Sequence, residues 1–480
     1  MFELTAIQDW VDAPGTHISW GPSRTTLRKV AEAPVHDVPA SYQQAQHLRS
    51  YREHTAKGAQ MARLTIPAWN IAGQCDIRAM TYVINAYLRR HDTYRSWFEF
   101  TVDDRIRRRK IQNPRDINFV PTDHGVHSSP EWREHILATP GPLQWDCFRF
   151  GIIQRPDHFT AYMCVDHLHV DATFMGLMLV EIHLMYAALV GGGAPIALPP
   201  AGSYDEYCIR QRRFTSALNV DSPQIRDWVA FAEDNDGTLP RFPLPLGDLS
   251  TPCAGDLLSI QLLDEKQTQR FESACVAAGA RFIGGVFACA ALAQYQLTGA
   301  GTYHVITPTS TRATEAETMT TGWFTGTVPV TVPIGTSFAD TARAAQASFD
   351  SGLHLAHVPF DRVLELSAST NGLRRPDPGV PMVSYLDATA APLSPAVVAE
   401  WNALRGRIYS EMGAANQIGM WVNQFGSGTS ITVAFPNNAV ARESVERYVE
   451  VMKSVYLNVA EGRCRQLPVN EFTGLGVRSA

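Results

Sequence analysis

The sequence predicts a mixed α/β protein made of two α/β regions, and three observations carry that expectation. Short segments along the chain alternate apolar and other residues with a period of two, the pattern of strands packed on one face. Between them lie segments of helical length whose apolar residues recur at helical spacing. A Pro/Gly-rich passage separates an earlier set of these elements from a later one. It contains Gly191-Gly192-Gly193, Leu198-Pro199-Pro200, and the stretch from Gly237 to Pro245 with Gly247. The length of 480 residues, at a prior of roughly 150 residues per domain, fits about three domains or two large ones. The boundaries expected are residues 1–200 for the first region, 201–255 for a linker and crossover segment, and 256–480 for the second.

Each element has a local reason. Ser41 is placed to cap a helix that continues through Leu48 and Tyr51. Residues 63–69 read as a strand. Asp76 then starts a helix whose Ile77, Met80, Val83, Ile84, Tyr87 and Leu88 fall at helical spacing, and Arg89, Arg90 and His91 place cations at its carboxyl end. Strands near residues 97–102 and 147–153 lead to a third strand, where Phe159, Ala161, Met163 and Val165 alternate, and then to a tight loop. An apolar run from Phe174 to Val190 follows at helical length and is terminated by the three glycines. Residues 222–235 form one helix within the linking passage. The second region begins near Leu257 with a helix over 265–278, ended by Gly279, and an Ala-rich helix over 284–297. Strands at 303–308 and 327–332 come next, then a helix over 337–351 and a short one from Pro359. Late strands near 382–386, 417–424 and 430–435 precede a last amphipathic helix over 444–458.

Composition excludes several function classes. Forty-one basic against forty-seven acidic residues leave a net charge of −6, which provides no footprint for nucleic acid and no polybasic membrane anchor. The amino terminus lacks the basic head and apolar run of a signal peptide. The run from Phe174 to Val190 contains Glu181 and His183 and is short for a bilayer span, so it reads as a core helix whose Met175, Met178 and Met185 would suit the border of an acyl tunnel. The eight cysteines, at 75, 147, 164, 208, 253, 275, 289 and 464, contain no Cys-x-x-Cys pair. They read as reduced thiols of a cytoplasmic protein, with neither a disulfide framework nor a zinc site. There is no glycine loop for phosphates and no metal-ligand cluster.

The tight loop carries His167-Leu168-His169-Val170-Asp171. A histidine at the end of a buried strand, with a carboxylate four residues later across a turn, suits a general base whose ring is held by local geometry. These residues alone leave open the alternative of a hydrogen-bonded core histidine. Other segments stand in a definite order around it. Before it come Ser41-Tyr42-Gln43-Gln44-Ala45-Gln46 and Leu88-Arg89-Arg90-His91-Asp92-Thr93-Tyr94. After it come Thr311-Arg312, then Gly322-Trp323-Phe324-Thr325-Gly326, then Val358-Pro359-Phe360-Asp361-Arg362. In this order the chain resembles, from about residue 35 to 460, the condensation-domain and chloramphenicol-acetyltransferase-like superfamily. Its wording is most similar to the mycobacterial polyketide-associated acyltransferases that acylate trehalose.

That resemblance implies two chloramphenicol-acetyltransferase-like subdomains in a V-shaped pseudo-dimer with the catalytic histidine where they meet. It implies an O-acyltransferase that moves a long acyl chain from a thioester, on coenzyme A or on a polyketide synthase, to a hydroxyl of trehalose or a trehalose glycolipid. His167 matches the catalytic histidine of the family's His-His-x-x-x-Asp-Gly motif. Asp171 matches the carboxylate that pairs with an arginine of the second subdomain, for which Arg312 stands in position. Gly322, Trp323 and Thr325 either shape the cleft wall beside the reacting carbonyl or belong to a purely structural crossover strand, and Asn423 either hydrogen-bonds substrate or satisfies backbone. No cofactor is implied beyond the acyl thioester co-substrate. The partners implied are that donor, a trehalose-type acceptor, and a polyketide synthase or lipid transporter at the inner membrane, with the protein itself a monomer. The chain departs from the motif at two positions. Asp166 stands where the first histidine sits, and Ala172 replaces the glycine. An acidic neighbour is expected to raise the pKa of His167, and His169 is expected to be a packing or channel residue rather than a second base. Two other readings remain at this stage: a peptide-forming condensation domain, and a non-catalytic homologue that binds lipid or docks onto a synthase.

Overall fold

The strand expected at residues 63–69 forms as Leu64–Ala72 and runs near the middle of a seven-stranded sheet. Across that sheet the order is Leu4–Ala6, Arg407–Ser410, Leu64–Ala72, His158–Asp166, Phe148–Gln154, Gly15–Pro22 and Phe119–His127. His158–Asp166 pairs antiparallel with both neighbours. Only His158 on this strand is not fully buried. This burial on both faces explains its almost unbroken apolar run.

The computed structural model describes residues 4–251, 253–388, 394–415 and 417–463. They divide into two units. Of these, the first contains residues 4–218, 310–325, 388 and 394–415, and the second contains 219–251, 253–309, 326–387 and 417–463. The division is not the linear one read from the sequence. Residues 310–325 and 388–415 lie within the stretch expected to form the second region, yet they pack with the first unit. For the later segment the reason is β-pairing: Arg407–Ser410 hydrogen-bonds to Leu64–Ala72 on one side and Leu4–Ala6 on the other.

In the first unit, Ser41 caps the helix Tyr42–Ala56 through a reciprocal capping box with Gln44. Asp76 caps Ile77–Arg90 by accepting the N–H groups of Arg78 and Ala79. The apolar run after the loop is helical as expected, but it is interrupted. Phe174–Met178 and Met185–Val190 are α-helical, and Leu179–Leu184 between them is wound as a π-helix. Met175, Met178 and Met185 are buried in it. The helix Tyr204–Ser216 was not anticipated, and neither were the strands Gly15–Pro22 and Phe119–His127.

The second unit is built on a six-stranded sheet in the order Gly255–Asp264, Gly428–Pro436, Ile418–Phe425, Pro381–Asp387, Thr302–Ser310 and Thr325–Pro333. The helices Glu265–Ala277, Phe282–Thr298, Phe338–Gly352 and Ala439–Ala460 share its core. Phe282–Thr298 is buried through most of its length because its Gly, Ala and Cys positions allow neighbouring elements to approach closely. Gly279 ends the preceding helix at φ 76°, a conformation glycine adopts without the Cβ penalty. Among the described residues no single helix is long and apolar enough to cross a membrane. Glu265–Ala277 and Phe282–Thr298 reach that length only as a pair bent by 95°.

Candidate active site

The site begins where His158–Asp166 ends. Asp166 accepts the N–H of Leu168 at 2.9 Å, an Asx-type bond that turns the chain into a short 3-10 helix over His167–His169. Leu168, His169 and Val170 are buried, and His167 alone in that turn is partly exposed. Asp171 makes a second bond of the same kind to the N–H of Thr173, at 3.1 Å. The two Asx turns bracket His167 and give the loop its shape.

The loop is also held from other elements. The N–H of His167 donates to the Arg63 carbonyl at 2.7 Å. Gln44 donates to the Leu168 carbonyl at 3.2 Å, which gives the capped helix a direct hold on the turn. His169 is a packing residue, as expected. Its ring bonds the Thr93 hydroxyl at 2.9 Å and lies 3.3 Å from Cys147 Sγ, and burial pushes its pKa down to about 4.

Asp171 and Arg312 form the pair that the resemblance implied. The guanidinium is bidentate, with Nη1 to Oδ2 at 2.7 Å and Nη2 to Oδ1 at 3.1 Å, and both side chains are almost wholly buried. Arg312 donates further to the carbonyls of Glu317 and Thr320, and its guanidinium lies 4.4 Å from the Phe324 ring centroid. Asp171 Oδ2 also accepts the N–H of Phe324 at 2.9 Å. The arginine was expected on the second subdomain, but it lies on residues 310–325, which belong to the first unit. One carboxylate thus ties the histidine loop to the segment carrying Gly322, Trp323 and Thr325.

The Trp323 ring lies tilted against the His167 imidazole, with ring centroids 4.2 Å apart and planes at 51°. Gly322 is required by packing, since a Cβ there would lie 2.4 Å from Tyr204 Cδ2 and 2.8 Å from Phe324 Cε2. Tyr204 cannot give way easily, because its hydroxyl bonds Ser41 and the Trp323 carbonyl, each at 3.0 Å. The Thr325 carbonyl accepts from Gln43. Asn423 belongs to the second unit, buried on Ile418–Phe425 opposite Ser430 in the sheet register. It is not among the residues that the first unit gathers round His167.

Electrostatics favour a neutral imidazole. Burial is the largest influence and lowers the His167 pKa below its ordinary 6.5, and His47 lowers it further. Its own main-chain carbonyl, Asp166 and Asp171 act the other way without prevailing. Asp166 thus acts in the expected upward direction, but burial and His47 outweigh it and the net shift is downward. That carboxylate is already engaged, by His47 Nε2 at 2.7 Å and Arg63 Nη1 at 2.9 Å. Nδ1 of His167 is buried and meets no hydrogen-bond partner on any other described residue. A proton on Nδ1 would leave the Nε2 lone pair free to accept another.

His47, Arg63, Tyr204 and Glu411 were not picked out in the sequence. Glu411 accepts the N–H groups of Arg63 and Leu64 at 2.6 and 3.0 Å, and burial raises its pKa. His47 sits one residue beyond the Ser41–Gln46 segment, at helical spacing from Gln44, and that spacing was the one available signal. Arg90 and His91 share the buried Glu181 at 3.1 and 3.0 Å, a structural contact that matches the reading of that segment. Cys75, Cys147, Cys164, Cys208, Cys253 and Cys275 are free thiols, and Cys464 lies outside the described residues. No group of three or more His, Cys, Asp or Glu among the described residues is arranged to hold a metal ion.

A loop histidine held neutral beside a buried Asp–Arg pair can accept a proton, and comparison with known proteins identifies the class of the chain. The Condensation domain family matches residues 64–388, more than half of the chain, and the chain belongs to that family. It is an acyltransferase, being similar along nearly its whole length to proteins of that activity. It is 54% identical over 464 residues to "Acyltransferase PapA3" of Mycobacterium tuberculosis, covering 96% of this chain and 98% of that one. It is 55% identical over 463 residues to "Trehalose-2-sulfate acyltransferase PapA2" of the same organism, again covering 96% and 98%. The solved structure "PapA2 acyl transferase" superposes with a TM-score of 0.93 at 55% identity, covering 96% of this chain and all of that one.

Proposed function

We propose that the protein transfers a long acyl chain from a thioester to a hydroxyl of trehalose or a trehalose glycolipid, with His167 as general base. The observation that carries this reading is the state of His167, a partly exposed loop residue whose imidazole is held neutral, with Nδ1 buried. Nε2 takes the proton of the sugar hydroxyl as its oxygen attacks the thioester carbonyl carbon. The tetrahedral intermediate then collapses, the C–S bond breaks, and the proton passes from Nε2 to the departing thiolate. A positioned base of this kind contributes about 10²–10⁴-fold in rate. No acyl-enzyme forms, so the scheme asks for no serine or cysteine nucleophile.

The relative named for trehalose 2-sulfate supports a trehalose-type acceptor. Asp171 and Arg312 act here by fixing the loop that aims His167. Trp323 and Gly322 form the wall against which the imidazole rests, and Thr325 and Asn423 contribute to substrate binding. The donor is acyl-coenzyme A or a synthase-bound acyl thioester, and no other cofactor takes part. The protein works as a monomer in the cytoplasm, peripheral to the inner face of the membrane, where a polyketide synthase or lipid transporter exchanges substrate and product with it.

The test is incubation of purified protein with palmitoyl-coenzyme A and, separately, trehalose, trehalose 2-sulfate, a monoacyl trehalose and an amino acid amide, read by mass spectrometry. Ester formation on a trehalose acceptor is the expected result. Amide formation with no sugar ester would overturn the reading in favour of a peptide-forming condensation activity.

A further inference from the structure

Asp166 stands where this family's motif has its first histidine, and its surroundings make a closed arrangement round His167. Asp166 is fully buried. Its Oδ1 meets His47 Nε2 at 2.7 Å and the N–H of Leu168 at 2.9 Å, and its Oδ2 meets Arg63 Nη1 at 2.9 Å. Arg63 is anchored in turn by the carbonyls of Pro140 and Thr139, at 3.0 and 2.7 Å. Its main-chain carbonyl receives the His167 N–H. His47 is buried too, and the edge of its ring meets the Trp323 ring, with centroids 5.6 Å apart at 80°. The other face of the circuit is the Trp323–His167 contact. His47 therefore reaches the imidazole by two routes, through Asp166 and the turn it caps, and through the indole.

We propose that His47, Asp166 and Arg63 form a positioning triad for the reacting base, an inference that rests on reading His167 as that base. Asp166 holds the turn in shape, Arg63 locks both the carboxylate and the His167 main chain, and His47 meets both that carboxylate and the indole lying on the imidazole. The titratable and charged groups around His167 are His47 on Tyr42–Ala56, Asp166 and Asp171 on either side in the chain, and Arg63 and Arg312 as the partners of those carboxylates. A free carboxylate next to the base would hold the imidazolium and slow its loss of a proton. Here the carboxylate is engaged by two basic side chains, and the base stays available. The departure from the family motif is thus compensated by residues far away in sequence.

The triad acts through another residue, so its test needs a readout that packing alone would not move. His47→Gln keeps a donor toward Asp166 and removes the ring that opposes protonation of His167. The expected result is a shift of the acid limb of kcat/KM to higher pH by about half a unit or more. The imidazole of His167, followed by NMR in ring-labelled protein and assigned by its loss in His167→Ala, should titrate with the same shift. Should His47→Gln fail to fold, Asp166→Asn keeps an acceptor for the Leu168 N–H and removes a carboxylate that favours the imidazolium. Its limb should move to lower pH. An acid limb and an imidazole titration within about 0.2 pH unit of the parent in a folded variant would overturn the triad. If His167→Ala itself retains full activity, it is the assignment of the base that fails, and the two failures are separable.

Discussion

Breaking the Asp171–Arg312 pair is the perturbation whose size the structure sets most closely. Arg312→Ala removes two charge-assisted bonds from a carboxylate that is almost wholly buried and leaves it only the N–H groups of Thr173 and Phe324. Each lost bond is worth about 1.5–3 kcal/mol. Together they agree with the loss of about 3–5 kcal/mol found when one member of a buried pair is removed. Asp171→Ala should lie at the low end of that range, because Arg312 keeps the Glu317 and Thr320 carbonyls. The double variant should lose at least about 1.5 kcal/mol less than the sum of the singles, since neither partner is then left unpaired. The assay is urea unfolding, with midpoint shifts converted through the measured slope, alongside kcat for each variant. Turnover should fall with stability, because the same carboxylate fixes the His167 loop and the main chain of Phe324. Singles within about 0.5 kcal/mol of the parent, or a strictly additive double variant, would refute the reasoning.

Two further outcomes are expected. Gly322→Ala places a methyl group 2.4 Å from Tyr204 Cδ2 and should destabilise the protein by about 1–3 kcal/mol and reduce turnover; an unchanged unfolding midpoint would count against the close packing of this segment. Acid stability should depend on His17 and His135, whose pKa values are each pushed down from 6.5 to about 3, by burial first and then, in differing order, by Arg149 and neighbouring histidines. The sign follows from proton uptake: below pH 6.5 the unfolded chain protonates these groups while the folded chain does not, so stability is lost as pH falls from 6.5 toward 3. Each contributes a slope of up to about 1.4 kcal/mol per pH unit in that window. Urea midpoints measured from pH 7 to 4 should therefore fall less steeply in His17→Gln and His135→Gln, and equal slopes would exclude this role.

The parts legible in the sequence are those whose cause is local. Ser41 and Asp76 cap helices because a short oxygen-bearing side chain bonds nearby N–H groups. The alternation from Phe159 to Val165 is legible because one buried strand carries it. His167, Asp171 and Arg312 could be named because short motifs in a fixed order carry them. The missed features depend on contacts distant in sequence. Asp166 looked like a departure from the motif, since His47 and Arg63, which engage it, lie 119 and 103 residues away. The helix Tyr204–Ser216 is largely polar, and it is set by Ser203 at its start and by Tyr204 and Tyr207 packing on Phe324. Phe119–His127 exposes most of its side chains and so shows no period of two. The return of residues 388–415 to the first unit follows from sheet pairing and from the Glu411 carboxylate, neither of which leaves a local pattern.

The most direct test of the central claim is the rate of ester formation in His167→Ala against the parent protein, at pH 7 with a saturating acyl thioester and a trehalose acceptor. The variant should keep the parent's unfolding midpoint to within about 1 kcal/mol, since the imidazole makes no side-chain hydrogen bond to another described residue. Its rate should fall by about 10²–10⁴-fold. A folded variant forming ester at the parent's rate would contradict the assignment of His167 as the base.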